Sequence, residues 1–294
     1  MPVNVLILGL GSIGRRHARI LRTIAPEARL FALRSGKGWG PEEGVTDIHD
    51  IAEIPGKTDL AIISSPTDLH PAHIDLIAPL RPFLFIEKPL ALTAKEGERI
   101  ADTVDQAGIK SYVGCQLRFL PALRELHDEL REHPRPIVSA STVCRSWMPD
   151  WQPGRDYRES FRASLERSGG VHLELIHELD YMIWLLGNPE SRTVTLGRSP
   201  LLEMSAWSDA HYELRYPGFT ATIDLSYASK ERERVLKVQF ADGGVREIDL
   251  FVSPEELNQV YTAQMRHTLA CMAGTETSLH TVRESLKTLT LALP

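Results

Sequence analysis

Three glycines near the start of the chain have the spacing of a phosphate-binding turn. Gly9, Gly11 and Gly14 form a G-x-G-x-x-G pattern between the apolar run 3–8 and a helical pattern. The first glycine permits a tight turn, the second lets a pyrophosphate approach the backbone, and the third lets the helix pack closely. The helix N-terminus then offers N–H groups to an anion. The strand–turn–helix context favours a dinucleotide site over a plain glycine-rich turn.

A Glu-Lys-Pro triplet follows another apolar run and offers an amine for proton transfer. Glu87, Lys88 and Pro89 come directly after residues 83–86. Loops at the carboxyl ends of parallel strands are where α/β sheets bind ligands. A lysine at such a place can lose solvent, which makes its amine a better proton-transfer group near neutral pH. The alternative is an ordinary surface ion pair between Glu87 and Lys88.

A predicted helix carries the other candidates for chemistry. Residues 171–186 have helical spacing, with apolar residues on one face and polar residues on the other. The polar face contains Glu174, His177, Glu178 and Tyr181. Because histidine exchanges protons near neutral pH, His177 is a candidate acid or base. The alternative is that His177 is simply a polar residue on an exposed helix face.

The elements that must position these residues divide the chain in two. In the first part, apolar runs alternate with helical patterns, and the predicted strands are 3–8, 29–33, 60–63, 83–86 and 109–113. Such an alternation predicts a doubly wound parallel sheet. Residues 193–252 instead contain short runs separated by turns, which is typical of an antiparallel sheet. We therefore expect an α/β protein with a Rossmann domain at 1–118 and a second domain at 119–294.

The residues after the second predicted strand indicate which pyridine nucleotide binds. NAD-binding units usually carry an acid about 20 residues after the glycines, which bonds the ribose 2′-OH. This chain has Arg34, Ser35, Gly36 and Lys37 there. A guanidinium can hold a 2′-phosphate through paired charge-assisted bonds. We expect NADP(H), with NAD(H) as the alternative; otherwise Arg34 is an exposed arginine without a specific role.

Composition excludes several classes of protein. The chain has 294 residues, 43% hydrophobic residues and a net charge of −6, so a nucleic-acid-binding surface is not expected. We also expect no signal peptide and no membrane span. Cys115, Cys144 and Cys271 are far apart, which fits a reducing cytoplasm. His172 and His177 are five residues apart, a poor spacing for a shared metal, and we predict no metal site.

Several motifs together resemble one family, the Gfo/Idh/MocA oxidoreductases, which includes glucose–fructose oxidoreductase and inositol dehydrogenase. They are the glycine turn with His17, Ser65-Pro66-Thr67-x-x-His70, Glu87-Lys88-Pro89, Gln116-x-Arg118-Phe119-x-Pro121 and His177-x-x-Asp180. The resemblance implies a Rossmann domain followed by an α/β domain with a large open antiparallel sheet. It also implies NAD(P)-dependent oxidation or reduction of a sugar-like alcohol. Lys88 matches the catalytic lysine of the family, whose bond to the next proline is often cis.

The substrate residues are less regular than the catalytic ones. The family often has an acid four residues before its motif histidine, where this chain has Leu173, whereas Glu174 lies three residues before His177. Both spacings put a carboxylate near the histidine on a helix. We predict that Glu174, Tyr157 and Arg118 bind substrate; the alternative for Tyr157 is that it packs its loop.

The predicted cofactor-binding residues lie at the carboxyl edge of the first sheet. They are Gly9, Gly11, Ser12, Ile13, Gly14, Arg34, Ser35, Ser65, Pro66, Thr67, His70, Glu87, Lys88 and Gln116. The alternative for Ser65 and Thr67, that they cap the following helix, is compatible with cofactor contact.

These expectations combine into one functional hypothesis. NADP(H) lies across the first sheet, Lys88 exchanges a proton with a sugar hydroxyl or ketone, and His177 bonds the same oxygen or shares the proton. Residues 157–160, together with the histidine motif, resemble relatives in bacterial surface-polysaccharide pathways, which suggests a nucleotide-linked or amino sugar. Two alternatives remain open: a glycosidase- or epimerase-type reaction that restores the cofactor in each cycle, and a non-enzymatic NADP sensor. We expect a homodimer or homotetramer formed through the open face of the second sheet.

Overall fold

The computed structural model describes residues 2–35, 40–167 and 169–294. The chain divides into two compact units. Unit 1 comprises Met1–Phe119 and Pro254–Leu289, and unit 2 comprises Leu120–Ser253 and Thr290–Pro294. The expected second domain, 119–294, included residues 254–289, which the structure groups with unit 1.

Unit 1 is built on six strands and the helices between and after them. The strands are β1 (Asn4–Leu8), β2 (Arg29–Leu33), β3 (Val45–Ile48), β4 (Leu60–Ile63), β5 (Phe83–Glu87) and β6 (Ser111–Gly114). The helices are α1 (Ser12–Ile24), α2 (His70–Ile77), α3 (Ala94–Gln106) and, from the C-terminal part, α7 (Pro254–Ala273) and most of α8 (Val282–Ala292).

All six strands of unit 1 run parallel in the order β3-β2-β1-β4-β5-β6. The order reverses between β1 and β4, which are hydrogen-bonded neighbours. Every residue of β1, β4 and β5 is buried, as expected for strands whose two faces are covered by helices. This is the strand order of a Rossmann domain, which places a ligand at the carboxyl ends of the strands beside the switch point.

The helix α7 belongs to unit 1 because its side chains complete the core of that unit. The imidazole of His267 packs against the rings of Tyr112 and Phe119, with centroids 5.4 Å apart in both cases. The ring of Tyr261 lies 6.1 Å from that of His17 on α1. These contacts join residues that are far apart in the sequence, so the spacing of the motifs does not reveal them.

Unit 2 also contains six strands. They are β7 (Ile137–Trp147), β8 (Ser191–Gly197), β9 (Asp209–Tyr216), β10 (Phe219–Ser226), β11 (Ala228–Phe240) and β12 (Val245–Asp249). Its helices are α4 (Pro121–Glu132), the four-residue α5 (Val171–Glu174) and α6 (His177–Leu186). The loop from β7 to α5 contains three short 3₁₀ turns.

The sheet of unit 2 has the order β12-β11-β7-β10-β9-β8. Its pairs are antiparallel apart from β7 and β10, which run parallel, so the sheet is mixed. Alternate residues of β7 are buried, and Thr142 on that face bonds Tyr181 of α6. The expected combination of a parallel Rossmann sheet with a second, largely antiparallel sheet is confirmed. Among the described residues, no helix has both the length and the apolar character needed to cross a bilayer.

Candidate active site

The glycine turn of unit 1 has the close packing that the motif requires. Gly9 has a φ of +103°, and a Cβ there would lie 2.3 Å from the backbone nitrogen of Ser65. A Cβ on Gly14 would lie 2.1 Å from the carbonyl oxygen of Gly9. A Cβ on Gly11 would meet no described atom within 4 Å. The first and third glycines are therefore needed for packing, and the second keeps the backbone accessible.

The residues around this turn fit a pyrophosphate. Gly11 precedes α1, whose first turn starts with Ser12 and Ile13 and contains no acidic residue. The N–H groups of such a turn are not used within the helix and carry a partial positive charge. The turn is tied to the neighbouring strand end, because the hydroxyl of Ser64 donates to the carbonyl of Gly9 over 2.8 Å. The geometry thus provides a rigid anion-binding turn at the switch point of the sheet.

Two guanidinium groups meet beyond the end of β2. Arg34 lies 3.1 Å from the carboxylate of Asp47 on β3, and it donates to the carbonyl of Gly40 over 3.4 Å. Arg15 donates to the same carbonyl and, over 2.6 Å, to the carboxylate of Glu42. The carboxylates of Glu42 and Asp47 therefore also lie in this region. The residues directly after β2 do not reveal this. Ser35 is adjacent to Arg34, whereas Gly36 and Lys37 lie outside the described residues.

The loop after β4 is fastened by histidines. The imidazole of His70 lies with Nε2 3.1 Å from the carbonyl of Ser65 and Nδ1 3.1 Å from the carbonyl of Leu90. Burial lowers the pKa of His70, which favours a neutral ring that donates to one carbonyl at a time. The hydroxyl of Ser65 pairs with Nδ1 of His73 over 2.9 Å. A 3₁₀ turn starts at Thr67, directly after Pro66, and Leu69 precedes α2 without a side-chain cap, so Ser65 contacts a histidine and does not cap the helix.

Two buried histidines hold the segment that carries Lys88. Nε2 of His17 lies 2.6 Å from Oε1 of Glu87, the residue before Lys88, and His17 has no solvent exposure. His70 contacts the carbonyl of Leu90, two residues after Lys88. The peptide bond between Lys88 and Pro89 is cis, as the family resemblance implies. Lys88 itself is half-buried between buried neighbours.

The turn after β6 contains two further predicted residues. Gln116 and Arg118 lie in a 3₁₀ turn and both are buried. The guanidinium of Arg118 donates to the carbonyl of Leu279, in the segment between α7 and α8. This bond ties the first part of unit 1 to its C-terminal part. The substrate-binding role of Arg118 stays a prediction beside this structural contact.

In unit 2, the segment around His177 differs from the single helix expected at 171–186. The helix breaks after Glu174, where Leu175 caps the end of α5, and α6 starts at His177. The polar face of this segment is buried: His177 is 6% exposed, and Glu178 and Tyr181 are fully buried. The alternative that His177 is a polar residue on an exposed helix face was therefore wrong, because polar partners from the sheet cover this part of the helix.

Those partners come from distant strands. Arg234 on β11 donates from Nε to Oε1 of Glu178 over 2.7 Å, and its Nη2 lies 2.6 Å from the same oxygen. The hydroxyl groups of Tyr181 and Thr142 are hydrogen-bonded to each other. Burial opposes the charge of Arg234, but the Glu178 carboxylate outweighs it and raises the pKa of Arg234 above its ordinary value. The pair fixes α6, and His177 with it, to the sheet.

The remaining predicted substrate residues of unit 2 have protein partners. The carboxylate of Glu174, at the end of α5, lies 3.1 Å from Nε of Arg162. The hydroxyl of Tyr157 accepts a hydrogen bond of 2.9 Å from the backbone N–H of Glu203. Both Arg162 and Tyr157 belong to the loop between β7 and α5. The sequence did not reveal the contact between Arg162 and Glu174, since it joins a loop residue to a helix twelve positions later.

The strand order and glycine turn define unit 1 as a Rossmann domain of the dinucleotide-binding class. A family model described as "Oxidoreductase family, NAD-binding Rossmann fold" matches residues 3–115. A second model, described as "GFO/IDH/MocA C-terminal domain", matches residues 137–246. The chain belongs to the GFO/IDH/MocA family of oxidoreductases, as the motifs had indicated.

The individual proteins that resemble this chain have low sequence identity to it. The chain is 28% identical over 232 residues to the scyllo-inositol 2-dehydrogenase (NAD(+)) of Bacillus subtilis (strain 168), a match over 74% of this chain and 64% of the relative. It thus spans less than two thirds of that relative's length. The structure of myo-inositol 2-dehydrogenase from Lactobacillus plantarum aligns with a TM-score of 0.82 at 21% identity, over 99% of this chain and 95% of that one.

A second similar structure contains bound ligands. The WlbA dehydrogenase from Bordetella pertussis, in complex with NADH and UDP-GlcNAcA, aligns with a TM-score of 0.78 at 18% identity, covering 99% of this chain and 93% of that one. At this identity the similarity establishes the fold and not the substrate.

Proposed function

We propose that the chain is an NADP(H)-dependent dehydrogenase or reductase that acts on a secondary alcohol or ketone of a sugar or nucleotide-linked sugar. The observation that carries the proposal is the arrangement within unit 1. A rigid glycine turn suited to a pyrophosphate lies on the same sheet edge as the Lys88 segment, whose two ends are held by His17 and His70. Membership of the oxidoreductase family supports this assignment.

The choice of NADP(H) rests on the end of β2. Arg15 and Arg34 both reach the carbonyl of Gly40, so two guanidinium groups lie where the adenosine ribose binds in this fold. Such a pair suits a 2′-phosphate. NAD(H) is the alternative, and it is favoured by the names of the Bacillus relative and of the Bordetella complex. Asp47 favours it as well, because this carboxylate already pairs with Arg34.

The proposed roles of the side chains follow from their chemistry. When bound, the nicotinamide donates or accepts the hydride. Lys88 exchanges a proton with the substrate oxygen, and His177 donates a hydrogen bond to that oxygen or shares its proton. Glu174, Tyr157 and Arg118 orient the other polar groups of the substrate.

Cofactor binding is tested by fluorescence titration of the protein with NADPH and NADH. We expect tighter binding of NADPH, and a loss of this preference in Arg34→Ser. We expect Gly11→Ala to fold normally, because its Cβ meets no described atom within 4 Å. The added Cβ should block the approach of the phosphates and lower the affinity for both nucleotides about tenfold or more. Gly197→Ala, in unit 2, is the matched control and leaves both affinities unchanged. Indifference of the wild-type protein to both nucleotides would refute the proposal.

The substrate class is tested with a panel of cyclitols, free sugars and UDP-sugars in both reaction directions. The compounds of this panel are chosen from the names of similar proteins, which include inositol dehydrogenases and a complex with UDP-GlcNAcA. We expect a change in NADPH absorbance with at least one of them. A reaction that needs bound cofactor but causes no net absorbance change would instead favour the cofactor-restoring alternative. Binding of NADPH without conversion of any compound would favour the alternative that the protein is a non-enzymatic sensor.

We further propose that the protein forms a homodimer or homotetramer in the cytoplasm. The open face of the unit 2 sheet has many short side chains, among them Ser141, Thr193 and Thr222, which permit a second sheet to approach closely. Light scattering after gel filtration tests the oligomeric state, and a monomer at high concentration would contradict the proposed homo-oligomer.

The proposed location in the cytoplasm is supported by the three cysteines, which are free and buried, as expected in a reducing compartment. Recovery of the protein in a membrane or secreted fraction would oppose this location.

A further inference from the structure

A cavity of about 170 Å³ lies in unit 2, within the loop between β7 and α5. Its walls are formed chiefly by Met148, Trp151, Arg155, Tyr157, Ser160 and Arg162. Cavities that enclose a whole drug-sized ligand typically measure roughly 300 to 1,000 Å³. This cavity is therefore large enough for one substituent of a sugar and too small for a complete sugar nucleotide.

The charges of the loop are distributed unevenly around the cavity. Arg158, which does not line it, is neutralised twice, by Asp156 and by Glu203, each 2.8 Å away. Arg162 lines it and has one carboxylate partner, Glu174. Arg155 also lines it, and its side chain makes no ion pair with any residue that the structure describes. None of the described residues that line the cavity is acidic. The lining thus keeps an uncompensated positive charge.

The aromatic walls are fixed before any ligand binds. The indole Nε1 of Trp151 donates to the hydroxyl of Ser146 over 3.0 Å, and its ring meets that of Tyr227 edge to face at 5.0 Å. The hydroxyl of Tyr157 is held by the N–H of Glu203. Rings fixed in this way need no ordering when a sugar ring packs against them, which favours binding.

We infer that this cavity binds an anionic group, a carboxylate or a phosphate, that is carried by the sugar substrate. Arg155 supplies the free guanidinium, which pairs with anionic oxygens through charge-assisted bonds, and Arg162 adds a second positive group. The inference rests on the proposed function and narrows its substrate class to acidic sugars.

The cavity is linked to the segment predicted to take part in the reaction. Arg162 joins its lining to Glu174, which ends α5 three residues before His177. An anionic group bound beside Arg162 therefore orients the rest of its sugar relative to Glu174. Arg155 and Arg162 act here as specificity-determining residues for the substrate.

The test uses titration calorimetry of the full chain saturated with NADPH. The probes are D-glucuronate, D-glucose 6-phosphate and D-glucose, which share one ring and differ in charge. We expect at least one anionic probe to bind about tenfold or more tightly than glucose. Tighter binding of glucuronate identifies a carboxylate as the preferred group, and tighter binding of the phosphate ester identifies a phosphate.

Variants separate a specific site from general surface charge. Arg155→Gln is expected to lower the affinity for the preferred anionic probe about tenfold and to change the affinity for glucose less than twofold. Arg155→Lys keeps the charge but loses the planar guanidinium. Its affinity for the preferred anionic probe is expected to lie between those of the wild-type protein and Arg155→Gln. Arg167→Gln is the matched control, because it removes the same charge from an exposed arginine of the same loop that does not line the cavity.

Two kinds of result would overturn the inference. One is a lack of discrimination between the probes, as equal binding of all three or binding of none. The other is equal weakening by Arg155→Gln and Arg167→Gln, which would indicate only general surface charge. The readout needs no turnover: Arg155-dependent anion binding without any sugar conversion refutes the proposed function and keeps the site. Conversely, turnover that is indifferent to charge on the sugar refutes the site alone.

Discussion

Each unit contains a buried carboxylate next to a residue predicted to be catalytic. In unit 1, Glu87 precedes Lys88 and pairs with His17 over 2.6 Å. In unit 2, Glu178 follows His177 and pairs with Arg234, whose Nη2 lies 2.6 Å away. In both units the partner comes from another element, so each pair joins the segment of the predicted catalytic residue to its unit.

The difference between the two pairs lies in the chemistry of the partner. A guanidinium remains charged throughout the accessible pH range, whereas an imidazole changes its charge near neutral pH. In the pair of unit 2 the charge of the guanidinium is therefore constant, and the pair holds a helix on a sheet. The pair of unit 1 contains an imidazole instead, and it holds the segment that carries Lys88, the residue predicted to exchange a proton. We expect the first pair to affect mainly stability and the second to affect turnover as well.

The largest expected effect is the loss of the pair between Arg234 and Glu178 in unit 2. Arg234→Met leaves the Glu178 carboxylate buried without its charged partner, which costs about 3–5 kcal/mol of unfolding free energy. Urea denaturation measures the change. Arg246→Met is the control from the same unit, since Arg246 is partly exposed, its partners Glu125 and Glu129 both keep contact with solvent, and its loss should cost about 1 kcal/mol. Equal costs for the two variants would contradict the assigned role of the buried pair.

Acid is expected to have the next largest effect, through a buried histidine of unit 2. Burial lowers the pKa of His172 from 6.5 to about 4. Between these values the unfolded chain binds a proton that the folded chain does not, so stability falls as pH falls from 6.5 to 4. The stability lost over this range is about 3 kcal/mol. In His172→Leu, denaturation curves should depend less on pH over this range, whereas His133→Gln, at an exposed position, should leave the dependence unchanged. A dependence that stays as steep in His172→Leu would refute the assignment.

The pair of unit 1 is expected to have the smallest effect on stability and a separate effect on activity. His17→Leu removes the partner of Glu87 at a cost of about 2 kcal/mol. Because the Lys88 segment then loses one of its two anchors, we expect turnover to fall about tenfold, more than the affinity for NADPH changes. His17→Gln, which can still donate to Glu87, should recover most of the turnover.

A control from the opposite edge of the same sheet separates positioning from stability. Asn4 lies at the start of β1 and donates to the carbonyls of Pro55 and Lys57 over 2.9 and 2.8 Å. Asn4→Leu should lower stability by a similar amount and leave turnover unchanged. If both variants reduced turnover in proportion to their stability, His17 would have only a structural role.

The two units also differ in how far sequence patterns predict them. In unit 1, the strands β2 and β4 match the predicted ranges, because continuous apolar runs bounded by turns are strong local signals. The glycine turn and the cis bond at Lys88 are found where the motifs indicate. What sequence patterns could not show is the return of α7 to this unit, since its contacts with Tyr112 and Phe119 depend on tertiary packing.

In unit 2, the decisive contacts are not local. The helical period indicates which polar residues share a face of the predicted helix, but it does not indicate what covers that face. Arg234 lies 56 residues after Glu178 and belongs to a strand that is longer than its apolar run. The break between α5 and α6 also lacks a glycine or proline that would signal it. The link from Arg162 to Glu174 likewise depends on a loop whose path has no periodic signal.

The most direct test of the account compares wild-type protein with Lys88→Ala, using NADPH titration and turnover of the best substrate from the panel. The account predicts an NADPH affinity within twofold of wild type and a turnover lower by about 10²- to 10⁴-fold, the usual contribution of a positioned acid or base. Turnover at the wild-type rate in Lys88→Ala would contradict the assignment of this lysine to proton exchange.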